Sequence, residues 1–357
     1  MEASEAAGSQ GLAAMAADVG AVGGCSPNVS AEDRDAGDAL FALGLVYEVG
    51  YGVPPDAERA EELFSAAAAR QHADACNAMG ELASRRSGGA AAARAAANAY
   101  LTAESLGSVE ATVNRGLTLC DPRRPGAEDG PSAATAYAFF EAASRAGSID
   151  GLFLTAVCFS KGVGVVGHVF QSFERFSLAA DRGHGHAQLA VSLCYSAGRG
   201  TEPSASKATT YLRRAAAQGV PAALSGLAEL LRDGGAGLDA DPKRSRALFE
   251  EAAAKGDPAG MRGLAELLLV AEPGRAVRLL HAAGREGDGL AALRLAQLYE
   301  RGGGGVPRDA LRAAGWYKQA AGYGVKEAAR KLRSKGFRVS TVAARASAMF
   351  RTKPSKE

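Results

Sequence analysis

Three features of this sequence have residue types that can do chemistry: a glycine-rich string, a pair of histidines and a set of cysteines. Residues 162–167 read GVGVVG, the GxGxxG pattern that holds a dinucleotide pyrophosphate where a strand leads into a helix. Here the pattern follows a helical period instead, and its G-x-G spacing recurs at 50–52 and 198–200. The string is therefore interpreted as a loop between two helices.

His184 and His186 could chelate a metal ion, with His72 as a further candidate ligand. No cluster of acidic residues or thiols accompanies them at the spacing of a metal site. His72 and His184 each follow a recurrent turn position by one residue. They are interpreted as structural turn residues, and neither a metal nor another cofactor is expected.

The five cysteines are an odd and sparse set, which is typical of a protein from a reducing compartment. Cys158 and Cys194 occupy equivalent positions in adjacent repeats. Stacked helices lie about 10 Å apart, beyond the reach of a disulfide, so we expect free, buried thiols. The N-terminal segment carries acidic rather than basic side chains and resembles neither a secretory signal nor a transit peptide. The expected location is the cytosol or the nucleus.

Small side chains dominate the composition, with 45 glycines and only 6% aromatic residues. Alanine-rich runs separated by glycines predict many short helices. A Gly-X-Y period is absent, which excludes collagen, and the lack of a run of about 18 apolar residues excludes a transmembrane helix. The net charge is only +2, although residues 326–357 carry ten Lys and Arg against two Glu.

A turn position recurs eight times, at spacings of 36, 40, 36, 36, 37, 31 and 37 residues. The turn residues are Gln71, Gly107, Gly147, Gly183, Gly219, Gly256, Gly287 and Gly324. Positions in each repeat are numbered as offsets from this residue. Offsets −11, −7 and −4 lie on one side of a helix, and offsets +4, +5, +8, +9, +11 and +12 form the apolar stripe of a second helix.

Three offsets have fixed residue types. Offset −4 is always alanine: Ala67, Ala103, Ala143, Ala179, Ala215, Ala252, Ala283 and Ala320. Offset −7 is large and apolar: Phe64, Tyr100, Phe140, Phe176, Leu212, Phe249, Leu280 and Tyr317. Offset +9 is small: Gly44, Gly80, Gly116, Ala156, Ser192, Ala228, Ala265 and Ala296. Small residues allow close helix packing, and one large side chain per repeat fills the remaining gap.

Residues 38–75 resemble the SEL-one-like repeat (SLR) family, relatives of the tetratricopeptide repeats. The matching residues are Leu43–Glu48, Gly50, Gly52, Val53, Asp56, Ala60, Ala67 and Ala68. Residues 291–324 are similar through Leu295–Glu300, Gly302, Val306, Asp309, Ala320 and Ala321, whereas the other six repeats are degenerate. The resemblance implies an all-α fold, a right-handed superhelical solenoid of about eight helical hairpins of ~36 residues plus a C-terminal capping helix.

The chain is predicted to have three parts. Residues 1–30 form an Ala/Gly-rich tail that is expected to be disordered, residues 31–334 form the solenoid, and residues 335–357 form a basic tail with a candidate short helix. The first helices of the eight hairpins are predicted to start near residues 38, 74, 110, 150, 186, 222, 259 and 290.

The resemblance implies a non-catalytic adaptor or scaffold that holds another protein or peptide, and no small-molecule substrate is expected. No nucleophile–base arrangement or phosphate-binding loop favours an enzyme. Two alternatives stay open. The basic C-terminus could bind a nucleic acid or an anionic membrane, although it lacks the interleaved aromatics that favour nucleic acid. A hydrolase, as claimed for cysteine-rich SLR relatives, is less favoured because no repeat holds two cysteines.

The binding surface is predicted on the concave side, which the first helices line in solenoids of this kind. Opposite the core stripe lie offsets +6, +10 and +13. These offsets are mostly polar in repeats 2, 6 and 7, and they are apolar in repeats 3 to 5. The six apolar residues are Val113, Leu117, Phe153, Val157, Leu189 and Leu193. An exposed strip of this kind marks an interaction site, whereas burial against adjacent repeats or beneath residues 121–131 would remove it.

Overall fold

The computed structural model describes residues 30–86, 89–120 and 130–334. Over these ranges the chain forms seventeen α-helices and no strand, which confirms the all-α prediction of tandem helical hairpins. The described residues divide between two compact units, one ending at Arg182 and the other beginning at Gly183.

The first unit contains four hairpins, each made of a first helix and a second helix that pack along each other. Their helices are α1 Ala31–Val49, α2 Ala57–Ala68, α3 Ala73–Arg85, α4 Gly89–Ser105, α5 Val109–Leu119, α6 Gly130–Arg145, α7 Ile149–Lys161 and α8 Val169–Asp181. Odd-numbered helices are therefore first helices, and even-numbered helices are second helices.

The second unit contains four more hairpins and one final helix. Its helices are α9 Gly185–Ala197, α10 Ala205–Ala217, α11 Pro221–Asp233, α12 Pro242–Ala254, α13 Pro258–Leu268, α14 Pro273–Arg285, α15 Gly289–Arg301, α16 Ala310–Gly322 and α17 Lys326–Ser334. Helix α17 packs on α16 with Ala328 fully buried, as predicted for the capping helix.

Seven first helices begin within one residue of the predicted start. The prediction for the first repeat is wrong, because α1 begins at Ala31 and not near residue 38. The reason is a capping arrangement at Ser30, which had been assigned to the N-terminal tail. The Ser30 hydroxyl accepts a hydrogen bond from the Asp33 amide at 3.1 Å and donates one to the Asp33 carboxylate at 2.8 Å. This cap extends the helix by about two turns.

The GxGxxG string is a loop between helices, as predicted. Gly162 ends α7 in the left-handed conformation with φ at +69°, and Gly164 is also left-handed. His168 then caps α8 by accepting a hydrogen bond from the Gln171 amide at 3.3 Å. The string therefore joins two helices, and the strand that a dinucleotide site requires is not there.

His72 and His184 are helix caps, as the turn interpretation predicted. The Nδ1 atom of His72 accepts from the Ala75 amide at 3.1 Å, and that of His184 accepts from the Ala187 amide at 3.0 Å. Each histidine thus satisfies a helix amide that would otherwise lack a partner. The cap fixes one ring nitrogen as an acceptor.

Four cysteines lie in the described residues, and all four are free thiols: Cys76, Cys120, Cys158 and Cys194. Burial raises the pKa of Cys158 to about 11, with a smaller contribution from Cys120. At neutral pH the Cys158 thiol is therefore protonated and unreactive. Cys25 lies outside the described residues.

The repeating core follows the predicted offsets. All eight side chains at offset −7 are at most 8% exposed, and all eight alanines at offset −4 are at most 1% exposed. A Cβ added at Gly44 would lie 2.5 Å from Cε1 of Phe64, and Gly80 and Gly116 face Tyr100 and Phe140 in the same way. The small residue on the first helix therefore makes the space that the ring on the second helix occupies.

Serine occupies offset −11 in two repeats, and each of these serines has a carbonyl partner on the opposite helix. The Ser172 hydroxyl donates to the carbonyl of Ala156 at 2.9 Å, and the Ser245 hydroxyl donates to that of Ala228 at 2.7 Å. These buried hydroxyls stay satisfied only because the backbones approach closely.

Several predicted segments lie outside the described residues. They are residues 1–29 of the N-terminal tail, residues 121–129 of the insertion and residues 335–357 of the basic tail.

Replacing Ala215 with leucine should lower the free energy of unfolding by roughly 1–3 kcal/mol, because a larger side chain would overpack a fully buried contact. Ala179 in α8 should respond in the same way, since it is also fully buried. Ala217, which is exposed on the same helix as Ala215, provides the matched control. Urea denaturation measures all three variants, and equal stability of the Ala215→Leu and Ala217→Leu variants would mean that the alanine stripe faces solvent.

Candidate protein-binding face

The first helices of neighbouring repeats contact each other directly, α3 with α5 in the first unit and α13 with both α11 and α15 in the second. The outward-facing side chains of the first helices make up a surface of each unit, which we call the first-helix face. It consists of offsets +6, +10 and +13 of each first helix. Several residues at offset +10 are exposed, whereas none at offset +6 of repeats 2 to 8 is.

In the first unit, a hydrogen-bonded polar network connects three first helices across this face. The Asn114 amide of α5 donates to Asn77 at 3.0 Å and to Glu81 at 3.1 Å, both on α3. Arg85 of α3 then donates to Glu81 at 3.4 Å and to Glu48 of α1 at 2.9 Å. The polar side chains of the network are thus already hydrogen-bonded to one another, and they link the three helices. The apolar side chains of the face take no part in this network.

The four apolar candidates of the first unit differ in exposure. Leu117 is 43% exposed, whereas Val113 is only 5% exposed and contributes to the core. Phe153 and Val157 are half-buried, and the Phe153 ring packs against Phe176 with centroids 5.7 Å apart. Burial of Val113 follows from its position at offset +6. Of these four side chains, Leu117 is the most accessible.

The two candidates of the second unit lie one helical turn apart on α9. Leu193 is 60% exposed, and Leu189 is half-buried against the core of the second unit. Leu193 occupies offset +10, as Leu117 does in the first unit. A leucine exposed to this degree forgoes part of the free energy of burying its side chain, and contact with a partner would supply that free energy.

Ion pairs occupy the first-helix face further along the second unit. Arg262 of α13 donates to Asp288 at 3.0 Å and to Glu229 of α11 at 3.1 Å. Asp288 also caps α15 through the Ala291 amide at 2.7 Å. Burial lowers the pKa of the Arg262 guanidinium, but the two carboxylates outweigh this effect and leave the pKa raised. Arg262 therefore stays charged and links three consecutive first helices.

The sequence analysis missed a leucine on the same face. Leu45 lies at offset +10 of the first repeat and is 39% exposed, and Val49 is exposed one turn later. Applying the offset +10 rule to the first repeat would have found Leu45. Conversely, Ser225 lies at offset +6 of repeat 6, which the sequence predicts to be part of the polar face, and the structure buries it.

Two kinds of site are absent from the residues that the structure describes. No group of three or more His, Cys, Asp or Glu side chains within them is arranged to hold a metal ion. None of their helices combines the length and the apolar character that crossing a membrane requires.

Comparison with known protein families identifies the Sel1 repeat at four positions. The matched residues are 37–72, 185–220, 221–257 and 289–322, which correspond to repeats 1, 5, 6 and 8. Repeats 5 and 6, which the sequence analysis predicts to be degenerate, are therefore matched by the family model, as are repeats 1 and 8. Comparison with curated protein sequences gives no match.

Solved structures with a similar fold include two repeat proteins. A protective antigen from uropathogenic Escherichia coli strains, which displays an SLR fold, is 24% identical with a TM-score of 0.54 over 87% of this chain and 68% of its own. A Sel1 repeat protein from Oxalobacter formigenes is 23% identical with a TM-score of 0.49 over 90% of this chain and 92% of its own. The first of these shows a shared fold.

Replacing Arg262 with methionine should lower the free energy of unfolding by about 2 kcal/mol, because Asp288 would keep a largely buried carboxylate without its cation. Arg232→Met is the matched control. Its partners Asp233 and Glu266 are considerably more exposed than Asp288, so its loss should stay below about 1 kcal/mol. Chemical denaturation tests both variants, and equal losses would contradict the role assigned to the Arg262 network.

Proposed function

We propose, from the four Sel1 repeats that the chain contains, that it is a non-catalytic adaptor whose first-helix face holds a segment of another protein. The observation that supports this most is the exposure of leucines at one recurring position. Leu45 and Leu117 in the first unit and Leu193 in the second unit all lie at offset +10. A repeat core does not need leucine there, because Glu81 and Glu229 fill the same offset in other repeats.

The partner segment should present apolar side chains in a polar background. Around Leu117 the polar side chains of Asn77, Glu81 and Asn114 are already hydrogen-bonded to one another. A docking segment therefore gains mainly by covering leucine. Full burial of a fully exposed leucine is worth roughly 1.5–3 kcal/mol, and Leu117, which is 43% exposed, offers the corresponding part of that. An amphipathic helix or an extended segment with apolar residues meets this requirement.

The chemistry of the face supports a binding role without catalysis. The groups that project from it are leucines, amides and paired ions, and no metal-binding cluster is among the described side chains. The hydrolase alternative rests on paired cysteines, and the four described cysteines are unpaired. Sparse free thiols also agree with our proposal of a cytosolic or nuclear protein.

Binding of an anionic partner through the basic C-terminus stays a prediction, because residues 335–357 lie outside the described ranges. It would use different residues from the first-helix face. Substitutions in the basic tail and on the first-helix face can therefore distinguish the two roles.

Replacing Leu117 and Leu193 together with serine should abolish capture of partner proteins, because it removes exposed apolar contacts from both units. The melting temperature should change little, since both side chains are largely exposed. Proximity labelling in cells that express the chain measures capture by the parent and by each variant. Phe153 is unsuitable for this test because it packs on Phe176.

Leu101→Ser with Leu178→Ser is the matched control. These leucines are exposed to a similar degree, but they lie on the second helices α4 and α8. Partners that the parent labels should be lost from the Leu117/Leu193 variant and retained by the Leu101/Leu178 variant. Retention of all partners by the Leu117/Leu193 variant would contradict the proposal.

A further inference from the structure

The two sides of the second unit differ in charge. Its first helices α9, α11, α13 and α15 carry four Lys or Arg and four Asp or Glu, so their charges balance. Its second helices α10, α12, α14 and α16 carry eleven Lys or Arg and only two Glu. All eleven basic residues are exposed. We call this surface the second-helix face.

A groove of about 660 Å³ opens on the second-helix face between α10 and α12. Leu224 and Leu227 of α11 and Leu248 of α12 line it with apolar surface, and all three are at least half-buried. The exposed cationic side chains of Arg213 on α10 and Arg244 on α12 line it as well. Leu248 is thus the most accessible of the three leucines. The groove also holds the Lys255 ammonium and the Glu251 carboxylate, so its charged groups are three cations and one anion.

The cations that line the groove differ in how they are paired. Lys255 donates to the Gly219 carbonyl at 3.1 Å and forms an ion pair with Glu251 at 3.4 Å. Within the described ranges, the guanidinium groups of Arg213 and Arg244 form no ion pair or hydrogen bond. Lys255 is thus held by the protein itself, whereas both arginines have donors available to an incoming anion.

We propose that this groove binds an acidic polypeptide segment that carries apolar side chains. Its carboxylates pair with Arg213 and Arg244, whose planar guanidinium groups suit bidentate contacts. Its apolar side chains cover Leu248 and the adjoining apolar surface. The net positive charge of the surrounding helices attracts such a segment and speeds its approach. This site is separate from the first-helix face and extends the proposed function with a second class of partner.

The leucines of the groove favour a polypeptide over a nucleic acid or a membrane. Phosphates of a duplex would pair with the arginines but would leave Leu248, the half-buried leucine of the groove, uncovered. Single-stranded nucleic acid requires aromatic side chains for base stacking, and Tyr211, the aromatic residue of α10, is half-buried with Arg214 above its ring at 5.3 Å. Insertion into a membrane requires apolar side chains that project outward, whereas Leu224 and Leu227 are buried.

Fluorescence polarisation of a short labelled peptide in which leucines alternate with glutamates tests the proposal on the full chain. The parent should bind this peptide. The Arg213→Gln/Arg244→Gln variant should bind it with a dissociation constant that is higher by about tenfold or more. The matched control is Arg94→Gln/Arg145→Gln, which removes the same charge from exposed arginines on second helices of the first unit. The control should keep the parent affinity, and all three proteins should melt at the same temperature.

Two further probes separate the leucines of the groove from its charged groups. A peptide with serine in place of every leucine should bind the parent about tenfold or more weakly, because only contacts with the charged groups would remain. A labelled DNA duplex should bind more weakly than the leucine–glutamate peptide. The proposal is overturned if the Arg213/Arg244 variant binds the peptide as tightly as the control does, if the serine peptide binds as well as the leucine peptide, or if the duplex binds more tightly.

Discussion

Each hairpin of this protein depends on one contact, in which a large side chain of the second helix occupies space left by a small residue of the first helix. The contact is tightest where the small residue is glycine, as between Gly44 and Phe64, where a Cβ would lie 2.5 Å from the ring. It fixes the rotation of both helices about their axes, because each has only one side that fits. The outward-facing residues of every hairpin are thereby determined, and both proposed binding surfaces follow from them.

Because the core takes up one side of every helix, each hairpin has two outer surfaces, one on its first helix and one on its second helix. On the first-helix face, polar residues such as Asn114 and Arg262 link neighbouring repeats, and leucines at offset +10 stay exposed. On the second-helix face of the second unit, basic residues greatly outnumber acidic ones, and Arg213 and Arg244 have no partner among the described residues. One packing rule thus supports two surfaces of different chemistry, which suits an adaptor with two classes of partner.

Much of the fold could be predicted from the sequence, because the residues that build the core repeat at fixed offsets and few side chains satisfy each offset. The exposure of single side chains could not be predicted, because it depends on the distance to the next repeat. Val113 is buried for this reason, although it lies on the side of the helix opposite the core stripe. The early start of α1 depends on the Ser30 cap, which the helical period does not reveal. The groove beside Arg213 could not be predicted either, because its charge depends on which cations are paired in the folded chain.

A double-mutant cycle of Gly44→Ala and Phe64→Leu tests the central contact most directly. Gly44→Ala alone should destabilise the protein even though alanine favours a helix by about 1 kcal/mol, because the new methyl group meets the Phe64 ring. With leucine at position 64 the ring is gone. The loss of unfolding free energy in the double variant should therefore be smaller than the sum of the two single-variant losses by about 1 kcal/mol or more. Additive losses, within about 0.5 kcal/mol, would contradict the account that this contact fixes the repeat.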